Sequence, residues 1–329
     1  MASQGNPKGR PNFALPLPKV ASTQQRPFAL TDIPAAMDSL GWTQGARFMR
    51  RWFNGSPYVM PRDVKLNRVD DRQLNRAHIL DDLPFDWLLT STERVKPVVD
   101  ELIEEFSEIN EYSGRVGRLK NMLDQLSPGL VRLMWRLEGL GLLDAAKKKL
   151  VNGTRFFGDR PAIQLEYTTQ FNFTTVGTSL WEKATDSLDD VYGALGAFAI
   201  QIAVTQISTH SSHAGFPAIM IDEIGLYVRD TYEFRNESSD DDQLLGYWGP
   251  KGVLRPSLWN YVREPAHIDS NGSRYLRFTN DSFNNHRRTQ NKGGDFVVYS
   301  TVKRVPVSIM LHLNDADFLE YLDKRPKSR

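Results

Sequence analysis

The run Ala218-Ile219-Met220-Ile221-Asp222-Glu223-Ile224-Gly225-Leu226-Tyr227-Val228-Arg229-Asp230-Thr231-Tyr232-Glu233-Phe234 decides the fold. It is rich in β-branched and aromatic residues and lacks a helical period, so it predicts a long strand. Alternation places Asp230, Tyr232 and Phe234 on one face and Glu233 on the other. The strand ends on charged residues, and sites are commonly built at such sheet ends. Outward from it, residues 297–302 and 305–313 read as further strands. Ile163, Leu165 and Tyr167, then Phe171 and Phe173, alternate with polar residues as half-buried strands do. The small, branched run at 191–207 predicts a strand pair or a strand bent at a glycine. Asn271-Gly272 and Gly293-Gly294 supply turns.

The N-terminal side has a different period. Thr31-Asp32 opens a helical region carrying Ile33, Met37, Leu40, Ala46, Met49 and Phe53, closed by Asn54-Gly55. Its cluster Arg47, Arg50 and Arg51 is a solvated face by default, with an anionic partner as the second reading. Val95, Val98, Val99, Leu102, Ile103 and Phe106 mark one amphipathic helix. Ser127-Pro128 opens another that reaches Leu143 and the basic run Lys147–Lys149, with Asn152-Gly153 as its stop. The expectation is an α+β protein, a helical N-terminal half packed on a β-rich C-terminal half. Its parts are a flexible Pro-rich arm (1–30, with Phe13, Leu15 and Leu17 as apolar handles), a helical region (31–155), a β-rich activity region (156–315) and a charged tail (316–329).

The chain has 329 residues, with 41 Lys and Arg against 40 Asp and Glu, and 40% hydrophobic residues. It can bury a sizeable core, so full disorder is excluded. A net charge of +1 argues against a bulk polyanion binder, so no nucleic-acid partner is expected. The absence of cysteine excludes disulfides, thiolate metal sites and a cysteine nucleophile. No apolar run is long enough to span a bilayer. Lys8 and Arg10 are followed by proline-broken sequence, unlike a secretory signal. The expectation is synthesis in a producer's cytoplasm and export, if any, by a dedicated machine.

Phosphate-loop, dinucleotide and nucleophile-elbow signatures are missing. His210 and His213 read as plain loop histidines, while His78, His267 and His312 have no company that suggests a site. What remains lies in the C-terminal third. Asp230, Tyr232 and Glu233 end the long strand. Ser282-Phe283-Asn284-Asn285-His286-Arg287-Arg288 reads as a loop, followed by Lys292-Gly293-Gly294-Asp295-Phe296. His286 titrates near neutrality, Arg287 can clamp a phosphate, and paired glycines permit close backbone approach. These are the parts for holding Mg²⁺ on a phosphate and moving a proton. Asp240–Asp242 could add a ligand but reads better as a solvated loop.

Two resemblances bear on function. The stretches Asp32–Met37, Met49–Phe53, Gly225–Phe234, Leu245–Trp248 and Lys292–Phe296 resemble an uncharacterised bacterial domain family whose members often accompany type VI secretion components. Locally, Asp230, Tyr232 and Glu233 with His286-Arg287 resemble the Asp-x-Tyr-Asp and His-Arg motifs of colicin M-type bacteriocins, which hydrolyse lipid II with Mg²⁺ in the target periplasm. Glu233 stands where that family has an aspartate, and the interval to His286 is far longer. The resemblance implies an antibacterial effector acting at a membrane surface without spanning it, with a cognate immunity protein and a secretion spike or adaptor as partners. In it Asp230 and Glu233 hold Mg²⁺ or activate water, His286 is the general acid or base, and Arg287 clamps the pyrophosphate. Tyr232 orients a phosphate oxygen, and Lys292 and Asp295 support substrate and His286. A non-enzymatic secretion-associated adaptor, docking a partner through its arm, is the alternative. A metal-dependent nuclease built on Asp230, Glu233 and Lys292 is a third.

Overall fold

The computed structural model describes residues 26–108, 111–112, 129–144, 149–151, 153–177, 188–211, 217–236, 242–254 and 265–312. Most of the expected arm, the whole expected tail, His213 and Asp240–Asp241 lie outside them.

Helices α1 (Ile33–Ser39) and α2 (Thr43–Asn54) are separated at Gly41, whose φ of 78° no β-carbon residue adopts cheaply. A one-turn helix α3 (Arg62–Lys65) and an irregular segment with two 3-10 turns lead to β1 (Ile79–Leu83). Then come α4 (Phe85–Ser91), α5 (Val95–Glu108) and β2 (Glu111–Tyr112). Residues 129–139 form α6, followed by short strands β3 (Leu143–Asp144), β4 (Lys149–Leu150) and β5 (Arg155–Phe156). The remainder is α7 (Ala162–Thr168), β6 (Gln170–Val176), α8 (Asp190–Leu195), β7 (Phe198–Ser211), β8 (Pro217–Tyr232), β9 (Leu244–Gly249), β10 (Gly252–Leu254), β11 (His267–Ser270), β12 (Ser273–Thr279), α9 (Asn280–Gln290), β13 (Phe296–Ser300) and β14 (Lys303–His312).

The protein is α+β, and β8 is its axis. Antiparallel β7 runs along one side of it from Ala199↔Arg229 to Ser211↔Pro217. On the other side β13 and β14 follow each other as one broken strand, from Phe296↔Tyr232 to His312↔Ala218. β5 and β6 flank β7, while β1 and β2 add parallel to β13 and β14. Bulges at Val204–Ile207 and Pro306–Ile309 add local twist and bend to these long strands. A second sheet has the order β10-β9-β12-β11. Ile219, Ile221, Ile224, Leu226 and Val228 are fully buried, as a strand covered on both faces requires. One hydrophobic cluster runs from Ile33 to Leu311, so both halves share a core. Asp190 of α8 accepts from Gln44 N and Gly45 N at the start of α2, at 3.0 and 2.7 Å. That satisfies two of the helix's orphan donors and ties α2 to the strand side.

Four sequence expectations change. Ile163, Leu165 and Tyr167 lie in α7, not a strand. Pro161 precedes its first turn with a pre-set φ, and Ala162, Leu165 and Glu166 turn inward at helical spacing. The run at 191–207 is a helix and then a strand, broken at Gly196 (φ 62°). Leu143 lies in β3 beyond the end of α6. The segment 280–290 is the helix α9, not a loop. Thr279 and Ser282 form its capping box, Phe283 and Arg287 share its buried face, and Asn291 ends it at φ 51°. No helix among the described residues is long and apolar enough to cross a membrane.

Candidate functional site

Of the expected site residues, His286, Arg287 and Asp295 meet around Trp52, which α2 buries completely. Beyond α2 the chain runs against the entry to β13 as a backbone ladder. Gly293 N donates to Gly55 O at 3.0 Å, Gly294 N to Trp52 O at 3.0 Å, Tyr58 N to Gly293 O at 3.1 Å, and Asp295 N to Tyr58 O at 3.1 Å. The glycine pair is required here. A β-carbon on Gly293 would stand 2.5 Å from the Trp52 ring at a φ of 115°, and one on Gly294 would stand 2.7 Å from Ser56 O. The close approach read from Gly293-Gly294 is therefore an approach to the chain's own backbone.

Asp295 is the hub of this clasp. Its carboxylate accepts from Trp52 Nε1 at 2.8 Å, from Met60 N at 2.9 Å, and from Arg287 Nη2. Burial raises its pKa despite Arg287 and these donors. Arg287 donates its Nε to Gly293 O at 2.9 Å and lays its guanidinium 5.1 Å from the Trp52 ring centroid. Both residues are buried. Arg287 is thus satisfied internally and does not present a fork to solvent. Asp295 supports Arg287 and Trp52, not His286. His286, one residue earlier on α9, is half-buried and contacts Phe53 edge-on at 5.0 Å. Burial lowers its pKa. Lys292 is exposed on the turn after α9.

The β8 residues separate by face, as alternation requires. Tyr232 is buried, stacks on Phe296 at 5.1 Å and meets Phe48 at 5.7 Å; its hydroxyl donates to Met49 Sδ at 3.5 Å. Glu233 pairs instead with Lys65 of α3 at 2.6 Å, on the side where Arg229 donates to Val64 O. Asp230 shares the Tyr232 face, opposite Val298. Burial lifts its pKa to about 7, against the opposing pull of the Thr231 N–H and Arg229. The contacts leading from Tyr232 toward His286 pass through stacked Phe234 and Phe283, 3.7 Å apart. Asp230 and Glu233 thus leave the strand by opposite sides. Among the described residues no group of three or more His, Asp or Glu side chains is arranged to hold a metal ion.

The other nominated groups have settings of their own. Arg47 pairs with Asp82 and Arg50 with Asp38, while Arg51 donates to Ala77 O and Ile79 O at 2.9 Å. That basic cluster is largely spent within the fold. His78 lies against Tyr58 at 3.7 Å and bonds the Asp295 backbone, burial holding its pKa low. His210 and His267 are exposed on strands. Asp242 accepts from Asp281 N at 2.9 Å and pairs with Arg277.

Sequence reading missed the most polar part of the interior, on the opposite face of β8 from Tyr232. Arg229 Nε donates to Asp71 Oδ2 at 2.9 Å, and Tyr299 OH donates to the same oxygen at 2.7 Å. Tyr227 OH donates to Glu166 Oε2 at 2.8 Å, and Asn67 Nδ2 donates to Glu166 Oε1 at 2.6 Å. Asp71, Glu166, Arg229, Tyr227 and Tyr299 are all buried. Although burial works against its charge, Tyr299 and Asp71 keep the Arg229 pKa above its ordinary value. The partners of Asp71 lie 158 and 228 positions away, and no spacing rule reaches that far. The one available signal was Arg229 directly after the uncharged run Ile224–Val228, a position that demands a buried counter-charge.

No curated protein and no solved structure matches the chain. A family model matches residues 28–314. The chain belongs to DUF6402, a family of unknown function.

Proposed function

We propose that this chain is a type VI secretion-associated protein that works as a non-enzymatic adaptor, a rigid platform presenting its N-terminal arm to a spike component or partner. The observation that carries this reading is the inward use of the groups a phosphate site would offer to a ligand. Arg287 bonds Asp295 and Gly293 O, Tyr232 sits in the aromatic core, and the glycine pair clasps the chain's own backbone. The arm's root supports it too. Arg26 pairs with Asp32 and Phe28 lies 6.3 Å from Phe278, so the chain enters the fold at a fixed point. A groove there is lined by Arg26, Phe28, Ala35, Ser39 and Pro250. The test is co-purification of the full chain with individual secretion spike proteins. Binding lost on deletion of residues 1–25 supports the adaptor, and binding unaffected by that deletion refutes the arm's role.

A second reading keeps the chain an exported antibacterial effector, a colicin M-like phosphodiesterase acting on lipid II at the membrane surface of a target periplasm. Asp230, with its pKa near 7, and half-buried His286 favour it. A Mg²⁺ requirement and a cognate immunity protein belong to the toxin readings and not to the adaptor. Directing the chain to the periplasm and, separately, to the cytoplasm of a sensitive host discriminates. Lysis confined to the periplasm and lost in Asp230→Ala and His286→Ala establishes the effector. Harmlessness in both compartments, with purified lipid II left intact, supports the adaptor. Toxicity in the cytoplasm with degraded nucleic acid supports the nuclease.

A further inference from the structure

The network on the second face of β8 has an arrangement that a plain ion pair does not require. Arg229 and Tyr299 stand directly opposite each other across the β8–β13 ladder, at the rigid centre of the sheet. Their donors converge on one point, and Asp71 Oδ2 occupies it at 2.9 and 2.7 Å. The other carboxylate oxygen, Asp71 Oδ1, is buried and has no hydrogen-bond partner. Asp71 therefore fills a two-donor oxyanion cradle while leaving half of its own acceptor capacity unused.

Asp71 is brought there by segment 62–78, which contains a single helical turn and two 3-10 turns. Side-chain bonds fasten the segment to the sheet and to α7. Arg229 Nη2 donates to Val64 O at 2.8 Å, and Tyr167 OH accepts from Asp71 N at 2.9 Å and lies 3.0 Å from Val69 O. Asn67 within the segment holds φ at 54°, a conformation uncommon outside glycine. The donors are thus preorganised on strands, whereas the acceptor rides on an irregular strap.

We propose that Arg229 and Tyr299 form an oxyanion-binding pocket for a carboxylate or phosphoryl oxygen, and that Asp71 fills it as an intramolecular stand-in. Two donors fixed on neighbouring strands lose little freedom when they bind, and a guanidinium beside a phenol matches either oxyanion. Without the Asp71 carboxylate, a buried guanidinium is short of its counter-charge and demands another anion. The segment 62–78 is then a strap whose release exchanges an internal anion for an external one.

The experiment is anion rescue of full-length Asp71→Ala at constant ionic strength, with sodium acetate and inorganic phosphate as probes and chloride as the reference. Melting temperature falls in the variant, and we expect acetate or phosphate to restore at least half of the loss, saturably. Which of the two restores more identifies the oxyanion class. Arg229→Met in the same background abolishes the recovery. Recovery no greater than in chloride, or recovery that persists without Arg229, overturns the proposal. Should Asp71→Ala fail to fold, Asp71→Asn keeps the volume but removes the charge. In that variant phosphate is expected to raise amide exchange across 62–78 above the chloride level, and unchanged exchange overturns the proposal equally.

Discussion

Replacing Asp230 with asparagine tests the electrostatics of the β8 end. Burial moves this carboxyl from an ordinary 3.8 to about 7. The sign follows from which state loses its proton first. As pH rises through 4 the unfolded chain ionises while the native chain stays protonated. Native stability therefore falls with rising pH until about 7 and is flat above. A shift of about 3 units at about 1.4 kcal/mol per unit sets an upper bound of about 4 kcal/mol. The residue retains a partly exposed edge, so solvent screening reduces the expected effect to about 2 kcal/mol. An asparagine side chain fills the same volume without a charge. The stability of Asp230→Asn relative to the natural chain should then be near zero at pH 3 and grow to about 2 kcal/mol in the variant's favour by pH 8. Urea unfolding at half-unit pH intervals measures it, and taking the difference cancels His78, His286 and Asp295, which titrate alike in both chains. A difference that stays flat between pH 3 and 8 refutes the buried-acid reading, and with it the reason to regard Asp230 as poised for proton transfer.

Three further outcomes follow from the clasp and the strand. Gly293→Ala drives a β-carbon to 2.5 Å from the Trp52 ring, whereas Gly272→Ala meets nothing within 4 Å at a φ of 71°. The first should cost about 3 kcal/mol and the second about 1 kcal/mol in denaturant unfolding, and equal costs would dismiss the steric argument. Arg287→Met breaks a buried pair and strands the Asp295 charge, so it should cost about 3 to 5 kcal/mol; a loss under 1 kcal/mol would reopen Arg287 as a ligand-facing group. Tyr232→Phe removes only a long contact to Met49 Sδ and should change stability by less than about 1 kcal/mol while leaving any lytic or binding activity intact. Loss of activity in that variant at full stability would return Tyr232 to the reacting centre.

Local pattern carried much of this protein. The β-branched run from Ala218 and the strands Phe296–Ser300 and Lys303–His312 follow from composition and alternation. The helix Val95–Glu108 and the stop after Asn54 follow from apolar spacing and glycine. Alternation also assigned Tyr232 and Glu233 to opposite sides of β8. Segments 162–168 and 280–290 escaped because their helices are short and were decided by caps and by the surface they cover, not by period.

The difference in kind appears at the polar residues. Sequence alone established which side chains could titrate or clamp a phosphate: Asp230, His286, Arg287, Asp295. Only the tertiary structure decided what they do. It buried Arg287 against Asp295, placed Tyr232 among aromatic rings, turned Glu233 to Lys65, and gathered Asp71, Arg229 and Tyr299 from three distant segments. A backbone's local preferences act over a few residues. The partner that satisfies a buried charge is chosen by where the whole chain excludes water, and no local rule contains that information.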